Sequence, residues 1–180
     1  MERLRVAVIV GSTRQGRVGD SIARWFTDLA CGRGDLEVTT LDLADFHFPE
    51  RYPACPTEST REFGGLVSAA DAFVVVTPEY NRSFPASLKQ AIDLAFEEWR
   101  AKPVGFVSYG YGSRGIYAVE QLRSVFTELH AVSVRDGVGL DLADGPPGER
   151  AEADLGRLLD QLTWWGLASR DARNRRPYVC

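Results

Sequence analysis

The chain has 180 residues, 44% of them apolar and 26% charged, the mix of one ordinary globular domain over 1–180 rather than a disordered, collagen-like or fibrous chain. Twenty-one Lys and Arg against 25 Asp and Glu leave a net charge of −4, which speaks against a general nucleic-acid binder, since such proteins carry a basic face. The longest clean apolar runs, Val6–Val10 and Ala72–Val76, fall far short of the roughly 20 residues that span a bilayer, so no membrane partner is expected.

Leu4–Val10 is a short β-branched run closed by Gly11 and reads as a buried strand, not as a secretion signal. Ile22, Trp25, Phe26 and Leu29 recur at helical spacing, so a helix follows, and Leu36–Leu43 alternates as a second strand. Beyond a loop holding Pro49, Pro53 and Pro56, Ser59 and Glu62 stand at capping-box spacing and open a helix continued by Phe63, Leu66, Val67 and Ala70. Ala72–Thr77, apolar on both faces, is a third strand. Ser83 reads as an N-cap and Pro85 as a first-turn residue of a helix striped by Leu88, Ala91, Ile92, Ala95, Phe96 and Trp99. Pro103–Tyr109 is the fourth strand; Val119, Leu122, Phe126 and Leu129 give the next helix; Ala131–Arg135 is the fifth strand. Leu155, Leu158, Leu159, Leu162 and Trp165 mark the last helix, and the arginine-bearing stretch 170–180 is expected to be a solvated, flexible tail. Three cysteines, Cys31, Cys55 and Cys180, with no CxxC pair, fit reduced thiols in a cytoplasmic protein better than a disulfide frame or a metal site.

Strands alternating with helices predict an α/β fold with a parallel sheet and helices on both faces. Ligands of such sheets sit at the carboxyl ends of the strands, which directs attention to three turns. The first, GSTRQGR (Gly11–Arg17), leads into a helix N-terminus with two hydroxyls and two arginines, a natural seat for a phosphate. The second, TPEYNRSFP (Thr77–Pro85), is stiffened by Pro78 and sets amides of Glu79, Tyr80 and Asn81 at the sheet edge, suiting a flat ligand with ring nitrogens and carbonyls. The third, SYGYGSRGIY (Ser108–Tyr117), is a flexible aromatic loop that lets a planar ring approach the backbone.

Two rival motifs are weaker. GSTRQGRV resembles a P-loop, but Arg17 stands where the lysine belongs and Val18 where a hydroxyl would hold magnesium. Gly110, Gly112 and Gly115 form a literal GxGxxG with Asp136 downstream as a ribose-binding acid, but this lies on the fourth strand–helix unit and leaves the other two turns unexplained. There is no GxSxG elbow for a serine hydrolase, and His47 and His130 read as structural.

At GSTRQGR, TPEYNRSFPASLKQAID and VSYGYGSRGIYAVEQLR, in this order and spacing, the chain resembles the NADPH-dependent FMN reductase family, with its azoreductase-, quinone-reductase- and chromate-reductase-like members. The resemblance implies a flavodoxin-like three-layer fold with a five-stranded parallel sheet ordered 2-1-3-4-5. It implies that Ser12, Thr13, Arg14 and Arg17, with the amides of Val18 and Gly19, hold the phosphate of FMN. Pro78, Glu79, Tyr80 and Asn81 would line its ribityl chain and ring, and Ser108, Gly110, Tyr111 and Ser113 would border the ring. The chain departs from the family pattern where Tyr117 stands at a customary arginine position and an arginine appears at Arg114; both are expected on the nicotinamide and substrate side.

The activity implied is hydride transfer from NADPH or NADH to FMN, then electron transfer to a small acceptor (free flavin, quinone, azo compound or metal oxyanion) in a ping-pong cycle. No catalytic side chain is expected, because the cofactor carries the chemistry. A homodimer or tetramer is implied, with the Ser83–Trp99 helix as a candidate interface, and a flavin-dependent monooxygenase as a further partner. The alternative is a flavodoxin-type electron carrier, against which the arginine-bearing turn and the modest charge both weigh.

Overall fold

The computed structural model describes residues 2–179, and in it the β-branched runs become strands β1 (Leu4–Val10), β2 (Leu36–Asp42), β3 (Ala72–Pro78) and β4 (Pro103–Gly110). Every residue of β3 and β4 is buried, as befits central strands covered on both faces. The strands pair in parallel, in register from Leu4 against Leu36 and from Val6 against Ala72, and the sheet order is β2-β1-β3-β4-β5. This is the flavodoxin-like doubly wound order, whose switch point lies between β1 and β3.

The fifth strand expected over Ala131–Arg135 is divided. A two-residue β5 (Val132–Ser133) pairs with the start of β4, and β6 (Val138–Asp141) pairs with its end. Between them Val134 still donates its amide to the Val104 carbonyl, and side chains satisfy backbone groups of the stretch. The Arg123 guanidinium donates to the carbonyls of Val134 and Arg135, and Gln161 accepts from the Asp136 amide while donating to its carboxylate. Asp136, the acid of the GxGxxG rival, is therefore tied to the last helix.

Helices α1 (Gly19–Cys31) and α5 (Glu149–Arg175) cover one face through Phe26, Leu155, Leu158 and Leu162. Helices α2 (Glu58–Ala69), α3 (Ala86–Leu94) and α4 (Ile116–Glu128) cover the other, around Phe63, Phe73, Trp99 and Phe126. The Trp99 ring meets Phe73 edge-on at 4.7 Å and Phe126 at 5.4 Å, and its Nε1 donates to the Ile92 carbonyl. That bond satisfies the one polar atom this large ring takes into the core.

Local expectations shift in four places. The cap of α2 is Thr57, whose hydroxyl accepts from the Thr60 amide, rather than Ser59. Ser83 does not cap α3; its hydroxyl donates to Gln121 of α4, and α3 begins after Pro85. α3 ends at Leu94, so Phe96 leaves the apolar stripe and is exposed beneath the Arg100 guanidinium. On α5 the buried row ends in Gly166, leaving Trp165 outside.

The tail also differs from expectation. α5 continues to Arg175, because its arginines find partners at the amino ends of the strands. Arg170 donates to the Arg3 carbonyl at 2.9 Å and Arg173 to the Ala101 carbonyl at 2.6 Å. Both also reach the carboxylate of Asp71, at 3.4 Å, which Arg5 holds at 3.0 and 3.1 Å.

Candidate functional site

The carboxyl ends of β1, β3 and β4 open into a cleft of about 430 Å³. A hollow of about 420 Å³ beside α2 is as large, so size does not single the cleft out. Position does: it lies at the switch point, and it is walled by all three turns that the sequence marks. Of the expected residues, Ser12, Arg14, Arg17, Val18, Pro78, Glu79, Tyr80, Gly110 and Tyr111 line it.

The turn after β1 is braced from within. Gly11 donates to the Val76 carbonyl at 2.9 Å, and Ser87 donates to the Gly11 carbonyl at 3.1 Å. Ser12 is fully buried, and its hydroxyl shares a 3.0 Å hydrogen bond with the Tyr80 hydroxyl across the switch point. Arg17 turns back onto this frame. Its guanidinium donates to the Ser12 carbonyl and forms a bidentate pair with Asp42 at the end of β2, one bond being 2.6 Å. Arg17 therefore holds the shape of the turn, with its charge matched by Asp42. Arg14 is exposed at the cleft mouth with no ion-pair partner among the described residues. Asp20, the acid in the first turn of α1, is engaged by Arg24 at 3.5 Å. The first-turn amides and the Arg14 charge are thus the donors that this turn offers at the cleft.

The turn after β3 is a two-residue hairpin. Tyr80 and Ser83 exchange both backbone hydrogen bonds, at 2.8 and 3.0 Å, and Asn81 and Arg82 between them have φ of 51° and 65°. Two central residues at positive φ are the signature of a type I′ turn, where asparagine is favoured for its tolerance of that conformation. Asn81 serves the turn and does not line the cleft. Glu79 fixes the turn to its neighbour: its amide donates to the Tyr109 carbonyl, and its carboxylate accepts from the Tyr117 amide at 3.1 Å, capping the start of α4.

The turn after β4 carries the residues expected to border the ring, Ser108, Gly110, Tyr111 and Ser113. Gly110 and Tyr111 line the cleft, and Tyr111 is 77% exposed. Ser108 and Ser113 instead hold the loop together, through Ser108 Oγ to the Arg114 carbonyl at 2.8 Å and the Gly115 amide to Ser113 Oγ at 3.3 Å. Gly115 has φ of 79°, and a Cβ there would lie 2.6 Å from that of Ser108. The last glycine of the GxGxxG string is thus required by the entry into α4, with no dinucleotide needed to explain it. Asp141 accepts from the Gly112 amide at 3.1 Å, clasping the loop to β6, and the bond from the Ala143 amide, seconded by this one, holds its carboxyl below the usual range.

Arg114 points to Asp144 on the outer side of this loop, and Tyr117 lies under the Arg82 guanidinium at 4.2 Å. Neither lines the cleft, nor do Thr13 and Gly19. The sequence reading missed Gln15, Gly16, Tyr109 and Leu142, which do. Tyr109 reads in sequence as one more apolar strand residue. Leu142 arrives only because β6 brings the segment after it to the rim. Among the described residues, no group of three or more His, Cys, Asp or Glu is arranged to hold a metal, and no helix is long and apolar enough to cross a membrane.

Residues 4–144 match the family model of the NADPH-dependent FMN reductases. Over 130 residues the chain is 35% identical to an NAD(P)H-dependent FMN reductase of Schizosaccharomyces pombe, covering 67% of this chain and 64% of that protein. The chain therefore spans just under two-thirds of that relative's length. A quinone reductase of Pseudomonas putida is 32% identical over 174 residues, 89% of this chain and 93% of its own. Among solved structures, FerB of Paracoccus denitrificans, a flavoenzyme NAD(P)H:(acceptor) oxidoreductase, superposes with a TM-score of 0.78 at 24% identity, over 92% of this chain and 98% of FerB, a likeness of fold.

Proposed function

Because this chain belongs to the NADPH-dependent FMN reductase family, we propose that it binds FMN in the cleft and oxidises NADPH or NADH, passing the electrons to a small acceptor such as a free flavin, a quinone, an azo compound or a metal oxyanion. The observation that carries the reading is an anion seat at the start of α1 opening directly into a tyrosine-walled slot at the switch point. The donor set suits a phosphomonoester: first-turn amides, the uncompensated Arg14, and a buried tyrosine hydroxyl, that of Tyr109, without a partner among the described residues.

Held at its phosphate by Arg14 and the first-turn amides, FMN would supply the redox chemistry between the nicotinamide and the acceptor, and the proposed cycle is ping-pong. The chain binds and orients. Arg14 and the amides of the first turn meet the phosphate, while Arg17 and Asp42 keep that turn in shape. Tyr80, fixed through Ser12, and Tyr111 wall the slot, and the backbone of Pro78, Glu79 and Gly110 presents fixed dipoles to it. No side chain is assigned a proton transfer. The proposal extends to a homodimer in the cytoplasm, with a tetramer as its higher assembly, and to a flavin-dependent monooxygenase as recipient where reduced FMN leaves the site.

The test is anaerobic. Purified protein is loaded with FMN and mixed with NADPH or NADH while the flavin absorption band is followed. Rapid bleaching, reversed on adding a quinone, supports the reductase. Tight FMN binding with no bleaching by either nucleotide replaces it with an electron carrier.

A further inference from the structure

Tyr109 stands apart from the other tyrosines of the cleft. It is 3% exposed, it faces the core beneath α1, and its hydroxyl has no hydrogen-bond partner among the described residues. A buried hydroxyl without a partner is a standing cost to the fold, and phenylalanine would fill the same space without it. The sequence nevertheless makes room for the oxygen. A Cβ on Gly19, the first residue of α1, would lie 2.5 Å from Tyr109 Oη, and the same point is 3.6 Å from Ser12 Cβ. The hydroxyl thus sits, fully buried, between the β1 turn and the first turn of α1, and Tyr109 is among the residues that line the cleft. The nearest polar neighbour of Tyr109 Oη is the Ser12 hydroxyl, which is shared with Tyr80 and makes no well-aligned bond to it, and Arg17 is held by Asp42. Burial, and then the nearby Tyr80, push the phenol well above its ordinary value against the smaller opposing pull of the Ser12 hydroxyl, so it remains a protonated donor throughout the physiological range.

We propose that Tyr109 is a positioning residue that selects for a phosphorylated ligand: its hydroxyl donates a buried hydrogen bond to the phosphate seated at the start of α1 and so discriminates FMN from riboflavin. The proposal rests on the reading of the cleft as an FMN site and adds to it the residue that reads the phosphate from below. A bond from a neutral hydroxyl to an anionic oxygen is of the stronger, charge-assisted kind, and here it is sheltered from water. Arg14 and the exposed amides attract an anion, whereas the phenol distinguishes a phosphate that enters fully from one held at the mouth. Gly19 is the second half of the device, because any side chain there displaces the hydroxyl.

The experiment compares wild type with Tyr109→Phe, titrating each apoprotein with FMN and with riboflavin by quenching of flavin fluorescence, and measuring the Tm of each without ligand. Wild type is expected to prefer FMN. Tyr109→Phe is expected to weaken FMN by about tenfold, leave riboflavin within twofold, and keep or raise the ligand-free Tm, since the orphaned hydroxyl is gone. An unchanged FMN affinity in Tyr109→Phe overturns the proposal and leaves the family reading intact. Equal losses for FMN and riboflavin also overturn it, because they mark a packing defect. A wild type that binds FMN no better than riboflavin removes the phosphate seat itself, and the failure then lies with the FMN reading. Phosphorus NMR of FMN bound to the wild type gives a second readout that needs no variant. A scalar coupling from the phosphate to the Tyr109 hydroxyl proton supports the bond, and a complex in which that proton couples to nothing rejects it.

Discussion

Replacing Arg17 with lysine keeps the charge but removes the planar fork that reaches Asp42 with two bonds and the Ser12 carbonyl with a third. The pair is largely sheltered, the two side chains being 17% and 19% exposed, so the loss falls on the fold as well as on the ligand. Arg17→Lys is expected to cost about 1.5–3 kcal/mol of stability, the scale of a charged hydrogen bond lost. It should also loosen the turn enough to weaken FMN several-fold. Arg14→Ala is expected to behave oppositely. It touches no partner among the described residues, so the Tm should hold while FMN affinity falls and its salt dependence flattens. Thermal denaturation and flavin titration at two salt concentrations separate the two arginines; matching Tm losses in both variants sink the division of labour. In sequence the two residues look alike, both cations in one short turn. Only the strand order reveals the difference, because it brings Asp42 at the end of β2 beside the end of β1.

At the scale of elements, much was legible. Buried strands announce themselves as continuous β-branched runs, and Val6–Val10 and Ala72–Val76 became the adjacent centre of the sheet. The three turns were legible too, since glycines, hydroxyls and cations crowd the strand ends. What stayed hidden depends on partners distant in sequence. The fifth strand divides because Arg123 and Gln161 satisfy the backbone between its halves. The arginines after Ser169 read as a solvated tail because their acceptor, Asp71, lies about a hundred residues earlier. Lys102 belongs to the same class. It is buried where β4 begins, and its ammonium donates to the Val67 and Ser68 carbonyls at the end of α2, both at 2.9 Å. Burial, aided by nearby Arg173, lowers its pKa from 10.5 to about 8. Between these two values the unfolded chain holds the proton and the folded chain releases it, so the contribution of this group to stability rises with pH across that window. The cost of burying the charge is full below pH 8. Lys102→Met removes the titration. Stability measured by urea denaturation should therefore show a wild-type-minus-variant difference that climbs between pH 8 and 10.5, by on the order of 3 kcal/mol. A flat difference means that the ammonium is hydrated.

The whole molecule is organised end to end along its strands. The carboxyl ends form the cleft proposed for FMN, and the amino ends are locked by one buried carboxylate, Asp71, that gathers Arg5 from β1 with Arg170 and Arg173 from α5. Burial drives that carboxyl upward, but the bonds from Arg5 outweigh it and leave it below the ordinary range. Its contribution is therefore present at neutral pH and disappears as the pH falls through the depressed folded value. Asp71→Asn keeps the shape and removes the charge, leaving three guanidinium groups facing a neutral amide, at a cost of about 2–4 kcal/mol. Asp71 directly precedes β3 and Pro78 ends it, so lock and cleft are separated by a seven-residue strand, roughly 20 Å. Perturbations that far apart with no shared partner add. FMN at a hundred times its dissociation constant should raise the Tm of the wild type by about 5–10 °C, from some 2.7 kcal/mol of binding linkage. Asp71→Asn is expected to lower the ligand-free and FMN-loaded Tm by the same amount and to leave the FMN dissociation constant within twofold. Scanning calorimetry of the four samples decides it. Equal displacements mean that the sheet is a rigid scaffold whose far end sets stability alone. A smaller FMN increment in the variant means that the arginine lock also holds the strand ends that shape the cleft, and that the two ends are coupled through β3.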